Sequence, residues 1–110
     1  MDEHDKPVLI YSTFPDAESA RKAGRALIEA HLAACVNILP GMTSVYRWRG
    51  SLEESSEVVM LIKTRSALAD QAIAVAKTVH PYDLPAMITL KIEAGYQPYL
   101  DWIVSETKAK

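Results

Sequence analysis

An α+β fold is what this 110-residue sequence predicts: four antiparallel strands backed by two helices on one face, with a long central hairpin and a C-terminal helix. Three observations carry that reading. The hydrophobic pattern alternates in the order βαββαβ before a last helix, the middle two strands are joined by a short turn, and no internal repeat or low-complexity stretch interrupts the order. This is the split βαβ, or ferredoxin-like, sandwich.

Each element has a local reason. Val8 to Phe14 is rich in β-branched and aromatic residues and stops at Pro15-Asp16, as a buried strand feeding a helix does. Asp16 is the expected N-cap, with Glu18 near the positive end of the helix dipole. From Ala17 to Leu32, apolar or small residues at Ala20, Ala23, Gly24, Leu27, Ile28 and His31 recur at helical spacing. Ala34 to Leu39 is short and apolar, Pro40-Gly41 interrupts it, and Thr43 to Arg49 resumes. We read one long strand with a kink or bulge at the interruption. Gly50-Ser51 begins the hairpin turn, and Glu57 to Thr64 returns as a buried strand with polar ends.

After Ser66, the residues Leu68, Ala69, Ala72, Ile73, Ala76 and Val79 have helical spacing, and His80-Pro81 closes the helix because a proline disfavours helical geometry in the residue before it. Met87 to Ala94 alternates, with Ile88, Leu90 and Ile92 as its drier side. Gly95 and Pro98 introduce a last helix, Tyr99 to Thr107, whose buried stripe is Leu100, Ile103 and Val104. The domain so defined spans residues 8–107, between a flexible N-terminal tail, 1–7, and a short C-terminal tail, 108–110.

Composition narrows the function classes. Apolar residues make up 49% and charged residues 24% of the chain, the balance of an ordinary globular domain, and no apolar run approaches the ~20 residues that span a bilayer. A formal charge of −2 offers no electrostatic attraction to nucleic acid or anionic lipid. The first residues, Met1 to Pro7, are acidic and polar rather than basic and then apolar, so a cytoplasmic location is expected. Cys35 is the one cysteine, which excludes an intramolecular disulfide and any site built from several thiolates of one chain.

The hairpin from Thr43 to Thr64 carries more apolar surface than two helices on one side of a sheet can shelter, including Val45, Tyr46, Trp48 and Leu52. Exposed strand edges of this kind also invite pairing with other chains. The expected assembly is a closed homo-oligomer.

The stretches Leu32-Ala33-Ala34-Cys35-Val36-Asn37, Tyr46-x-Trp48, Lys63-Thr64, His80-Pro81-Tyr82-x-x-Pro85 and Tyr99-Leu100-x-Trp102, with Thr13-x-Pro15 and Glu57, stand in the order found in the CutA family of divalent-cation tolerance proteins, which the chain resembles from Leu9 to Ile103. That resemblance implies a ferredoxin-like fold, a homotrimer, and a non-catalytic role in the response to divalent metals, including copper binding or signalling. In some members the ligands proposed for copper are a first-strand thiol and histidines at the His-Pro-Tyr segment. Carried over by position, the thiol falls on Ser12 and one histidine on Val79, leaving His80. The acidic residue often found after the second proline falls on Ala86.

Among single residues, His80 is the metal candidate, although one histidine is an incomplete ligand set. At a helix end the dipole favours its charged form. His31 reads as a packed or interface histidine, and His4 belongs to the tail. Cys35 reads as a small hydrophobe, and Met42, Met60 and Met87 as core filler before thioether ligands for a soft ion. The more informative set is Tyr46, Trp48, Glu57, Lys63, His80 and Tyr82. Even spacing puts Tyr46 with Trp48, and Glu57 with Lys63, on common strand faces. We expect a ligand-binding cleft between subunits walled by Tyr46, Trp48 and Tyr82, with Lys63 and His80 offering positive charge to a small anion.

Two other functions compete. A trimeric nucleotide sensor resembling the PII signalling proteins shares the architecture, and fold alone supports it. A small hydrolase like the acylphosphatases needs a phosphate-cradling first loop, and Ser12-Thr13-Phe14-Pro15-Asp16 has neither glycine nor arginine and carries an acid.

Overall fold

A computed structural model describes residues 5–108 of the chain. The strands are β1 (Pro7–Phe14), β2 (Cys35–Trp48), β3 (Ser51–Arg65) and β4 (Met87–Lys91); the helices are α1 (Ala17–Glu29), α2 (Ala69–Val79) and α3 (Gln97–Glu106). One antiparallel sheet has the order β2-β3-β1-β4, the ferredoxin-like arrangement expected from the sequence. β2 and β4 are its edges.

Strand parity explains the core. Val8, Ile10 and Phe14 of β1 pair beside Thr64, Ile62 and Val58 of β3, and all six are buried against α1 and α2. Small residues on the helices, Ala20, Ala23, Ala72 and Ala76, let backbone approach backbone. Gly24 makes the closest approach, since a Cβ there would lie 2.7 Å from Val36 Cγ2.

α1 is capped as the sequence predicts, with the Ser19 amide donating to Asp16 Oδ1 at 2.7 Å. It ends at Glu29, three residues before the expected Leu32. The reason is a Schellman turn: the His31 amide donates to the Ile28 carbonyl, and the Leu32 amide to the Leu27 carbonyl. His31 occupies the left-handed position at φ 58°, where glycine is usual. The turn therefore leaves the imidazole exposed in this chain, which corrects the packed alternative of the packed-or-interface expectation.

β2 is one strand interrupted at Pro40-Gly41, as expected. Leu39 pairs with Val59 and Met42 with Glu57, so two residues of β2 oppose Val58 alone, a β-bulge in which Gly41 takes φ 88°. Arg49 and Gly50 both have positive φ, 51° and 83°, the signature of a two-residue turn matched to strand twist. β3 begins at Ser51, not Glu57, because the polar run 51–56 continues the ladder opposite β2. The resulting two-stranded arm projects beyond the helices and gives the chain extents of 45 × 26 × 22 Å.

β4 also requires correction within this chain. Its drier side was expected to be Ile88, Leu90 and Ile92, yet Met87 is the residue that packs on the core, and Ile92 lies beyond the strand's end at Lys91. Ile88 pairs opposite Tyr11, on the sheet face away from α1 and α2, and is 53% exposed. The apolar side of β4 is thus turned toward a face that this chain covers only in part. α3 provides that partial cover: Ile103 is buried, and the Lys63 Nζ donates to the Tyr99 hydroxyl at 3.1 Å.

The ends differ from expectation in detail. Pro7, placed in the flexible tail by the sequence, opens β1 opposite Arg65, a strand-start position where a missing N–H is tolerated. Asp5 of the same tail pairs with Arg65 at 3.0 Å. His4 lies outside the described residues. No helix is long and apolar enough to cross a membrane among the described residues.

Candidate functional site

The bulge determines which side chains meet. Before it, Cys35, Asn37 and Leu39 point to the face away from α1 and α2; after it, Met42, Ser44, Tyr46 and Trp48 do. Because side chains alternate with period two, the extra residue exchanges the faces of the strand, bringing Tyr46 and Trp48 onto the face that Ser55 and Glu57 occupy on β3. Thr13 shares that face from β1. The loop 81–86 closes the space over them, leaving a cleft of about 570 Å³.

Tyr82 is held at its wall. Its hydroxyl donates to Glu57 Oε2 at 3.0 Å, so the tyrosine links the loop to β3. Burial, and next the hydrogen bond to the Glu57 carboxylate, push the Tyr82 phenol up to about 12. It therefore stays a neutral donor at any physiological pH. The Tyr46 and Ser55 hydroxyls lie 3.4 Å apart across the strands. Trp48 and Tyr46 are each 42% exposed, enough ring surface to receive a ligand.

His80 supports this wall from beneath. Its ring stacks on Phe14 with centroids 4.2 Å apart, and Nε2 is 2.8 Å from the Thr13 carbonyl. Nδ1 accepts from the Tyr82 amide at 3.0 Å, which leaves Nε2 as the protonated nitrogen that donates to Thr13. Burial outweighs the hydrogen bond to the Thr13 carbonyl and holds the imidazole below its ordinary 6.5. Both ring nitrogens are thus engaged inside the chain. The residue positions the loop that carries Tyr82 and does not line the cleft.

Lys63 is also elsewhere. It shares a sheet face with Glu57, as the spacing indicated, but six residues of strand separate them by about 20 Å. Its ammonium lies 5.2 Å from the Tyr99 ring centroid, serving α3. The six sequence-predicted residues therefore divide: Tyr46, Trp48, Glu57 and Tyr82 meet, His80 lies behind them, and Lys63 is remote. The positive charge expected for a small anion is absent from the cleft lining, which carries the carboxylates of Glu57 and Asp83 instead.

Thr13, Ser55, Asp83 and Leu84 also line the cleft and were not singled out as site residues. Ser55 is accessible to the same period-two reasoning as Glu57, but the expected strand starts at Glu57, six residues after its true start at Ser51. Asp83 and Leu84 are the unspecified residues inside His80-Pro81-Tyr82-x-x-Pro85. Ser12, where the family's thiol maps, is fully buried on the helix face, with Oγ making no hydrogen bond. Val79 ends α2 and Ala86 lines the cleft. Among the described residues, no three His, Cys, Asp or Glu side chains come together as a metal-binding group.

Comparison with known proteins places this geometry. The family model for the CutA1 divalent ion tolerance protein matches residues 8–106. Protein CutA of Mus musculus is 42% identical over 99 residues, covering 90% of this chain but 56% of the mouse protein, so the chain spans little more than half of that relative. The divalent-cation tolerance protein CutA of Thermus thermophilus is 41% identical, covering 90% of this chain and 96% of that one. Among solved structures, CutA from Xylella fastidiosa superposes with a TM-score of 0.91 at 42% identity, covering 94% of this chain and 99% of that one.

The names of relatives also correct one expectation. CutA proteins of Arabidopsis thaliana and Oryza sativa are named chloroplastic, and a structure from Archaeoglobus fulgidus is described as a periplasmic divalent cation tolerance protein. The cytoplasmic assignment does not stand, because the same domain is named in several compartments and its composition does not distinguish them. Fold, motif order and these matches agree: the chain belongs to the CutA1 divalent ion tolerance family.

Proposed function

We propose that this protein acts in divalent-cation tolerance as a non-catalytic homotrimer, with the cleft walled by Tyr46, Trp48 and Tyr82 as its ligand site. One observation carries the reading: the sheet face away from α1 and α2, together with the projecting arm, is rich in apolar side chains and sheltered only in part, by α3. Leu39, Ile88 and Leu90 are about half exposed on that face, and Leu52 of the arm is 71% exposed. A two-stranded ribbon is marginal alone, and a continuous apolar face of this kind is stable in water once copies cover it.

Chemistry within one chain supports a binding role rather than turnover. The cleft holds carboxylates and aromatic rings, and the hydroxyl paired with the Glu57 carboxylate is the Tyr82 phenol, pushed up to about 12 and so kept protonated rather than activated as a nucleophile. At the β1–α1 junction, where an acylphosphatase-like enzyme would seat phosphate, the helix N-terminus is filled by the Asp16 carboxylate. The Ser19 amide holds that carboxyl below its ordinary value, so it stays anionic and repels phosphate.

A divalent ion carried by the assembly takes ligands from more than one copy, since the described residues of a single chain bring no three ligating side chains together. Native mass spectrometry before and after addition of copper and other divalent ions tests the proposal. Three chains per particle, with metal taken up per trimer rather than per chain, is the expected result. A single chain that takes up the same metal contradicts it.

A further inference from the structure

We propose that the cleft between the β2–β3 arm and the loop 81–86 binds an organic cation of the alkylammonium class. The inference deepens the ligand-site reading above, on which it rests, and reverses the expected charge of the ligand. Three rings, Tyr46, Trp48 and Tyr82, contribute to the walls of one concave space, and Glu57 and Asp83 supply its formal charges. No Lys, Arg or His side chain lines it. Glu57 is oriented by the Tyr82 hydroxyl, a neutral donor that occupies Oε2 and leaves the carboxylate's charge uncompensated.

Ligand class follows from that combination. Ring faces attract a cation through the quadrupole, most strongly for tryptophan and when the cation is weakly hydrated. An alkylammonium gives up little hydration and offers methyl groups to the rings. A divalent metal ion, strongly hydrated and requiring several oxygen donors, gains little from the same walls. Arg49 already demonstrates that Trp48 accepts a cation: its guanidinium carbon lies 5.4 Å from the ring centroid, outside the cleft lining. A small anion would meet two carboxylates in the lining, with the Arg49 guanidinium on Trp48 outside it.

Calorimetric titration of the intact protein with tetramethylammonium chloride tests this, beside tert-butanol as the uncharged analogue of similar shape, sodium phosphate as the anion and magnesium chloride as the metal alone. Saturable binding of tetramethylammonium, about tenfold or more tighter than tert-butanol, is expected, with none for phosphate. Glu57→Gln keeps an acceptor for Tyr82 but removes the charge, and Trp48→Leu keeps apolar bulk but removes the ring; each weakens binding about tenfold. Equal affinity for tert-butanol, preference for phosphate or magnesium, or wild-type affinity in Glu57→Gln overturns the proposal, as does no binding by the folded wild type. Every residue named here comes from one chain, and in the proposed trimer a neighbouring copy covers the same sheet face, so the titration is run on the particle whose mass has been measured. A monomeric mass contradicts the assembly reading alone.

Discussion

His80 shows how environment overrides a residue's textual position. At the end of α2 the dipole favours its charge, but burial against Phe14 dominates and lowers its pKa, with Lys77 acting in the same direction and the Thr13 bond and Glu57 against it. The unfolded chain therefore binds a proton that the native state resists as pH falls below about 6.5. Stability is complete above that value and declines as pH drops from it through the lowered native pKa. Chemical denaturation across mildly acidic pH is expected to show this slope in the wild type and a flatter one in His80→Gln, which keeps a donor for Thr13. Tyr82 behaves oppositely: its native pKa is raised from 10.0 to about 12, so the stability it contributes is present below pH 10 and is lost as pH climbs from about 10 to about 12. In a phenolate absorbance titration of the folded protein, the last phenolate to form disappears in Tyr82→Phe. Thr64 is buried in the core with Oγ1 making no hydrogen bond. Thr64→Val conserves its shape and removes the orphaned hydroxyl, and urea unfolding is expected to show a gain of about 1 kcal/mol. None of these three environments is visible in sequence, since each depends on contacts across long separations.

Elements were legible where pattern and punctuation coincide. Asp16 as N-cap, Pro40-Gly41 as a bulge and the hairpin at Gly50 follow from local chemistry, and the structure contains all three. Legibility failed where polar residues continue a strand, as at 51–56, and where an imidazole stands in a position that favours glycine, as at His31. His31→Gly relieves a left-handed conformation and is expected to stabilise the fold by about 1 kcal/mol in thermal or urea unfolding. Gly24→Ala tests the opposite balance. Alanine gains about 1 kcal/mol in helix propensity, but its Cβ meets the stiff Val36 Cγ2 at 2.7 Å, and overpacking of this kind costs about 1–3 kcal/mol. A net loss is expected, measured in the same way. The bulge has the largest functional reach of any element, because it alone turns Tyr46 and Trp48 to the cleft. A period-two reading paired those residues correctly but could not say which face they shared with Glu57 until the extra residue was counted.

At the scale of the molecule, the topology and the excess apolar surface were both readable, and for one reason: counting apolar strand residues against available helices requires no contact map. The location of charge was not. Glu57 and Lys63 share a face by parity, yet the strand carries them about 20 Å apart, so a cleft expected to be cationic is anionic. What the chain leaves uncovered defines the central claim. Helices α1 and α2 shelter one face of the sheet, α3 shelters part of the other, and the arm extends beyond all three with Val45 and Leu52 in solvent. In the proposed assembly, copies of the chain provide the missing cover. Sedimentation equilibrium at micromolar concentration tests this most directly: the account predicts a particle of three 12.2 kDa chains, and a folded particle with the mass of one chain would contradict it.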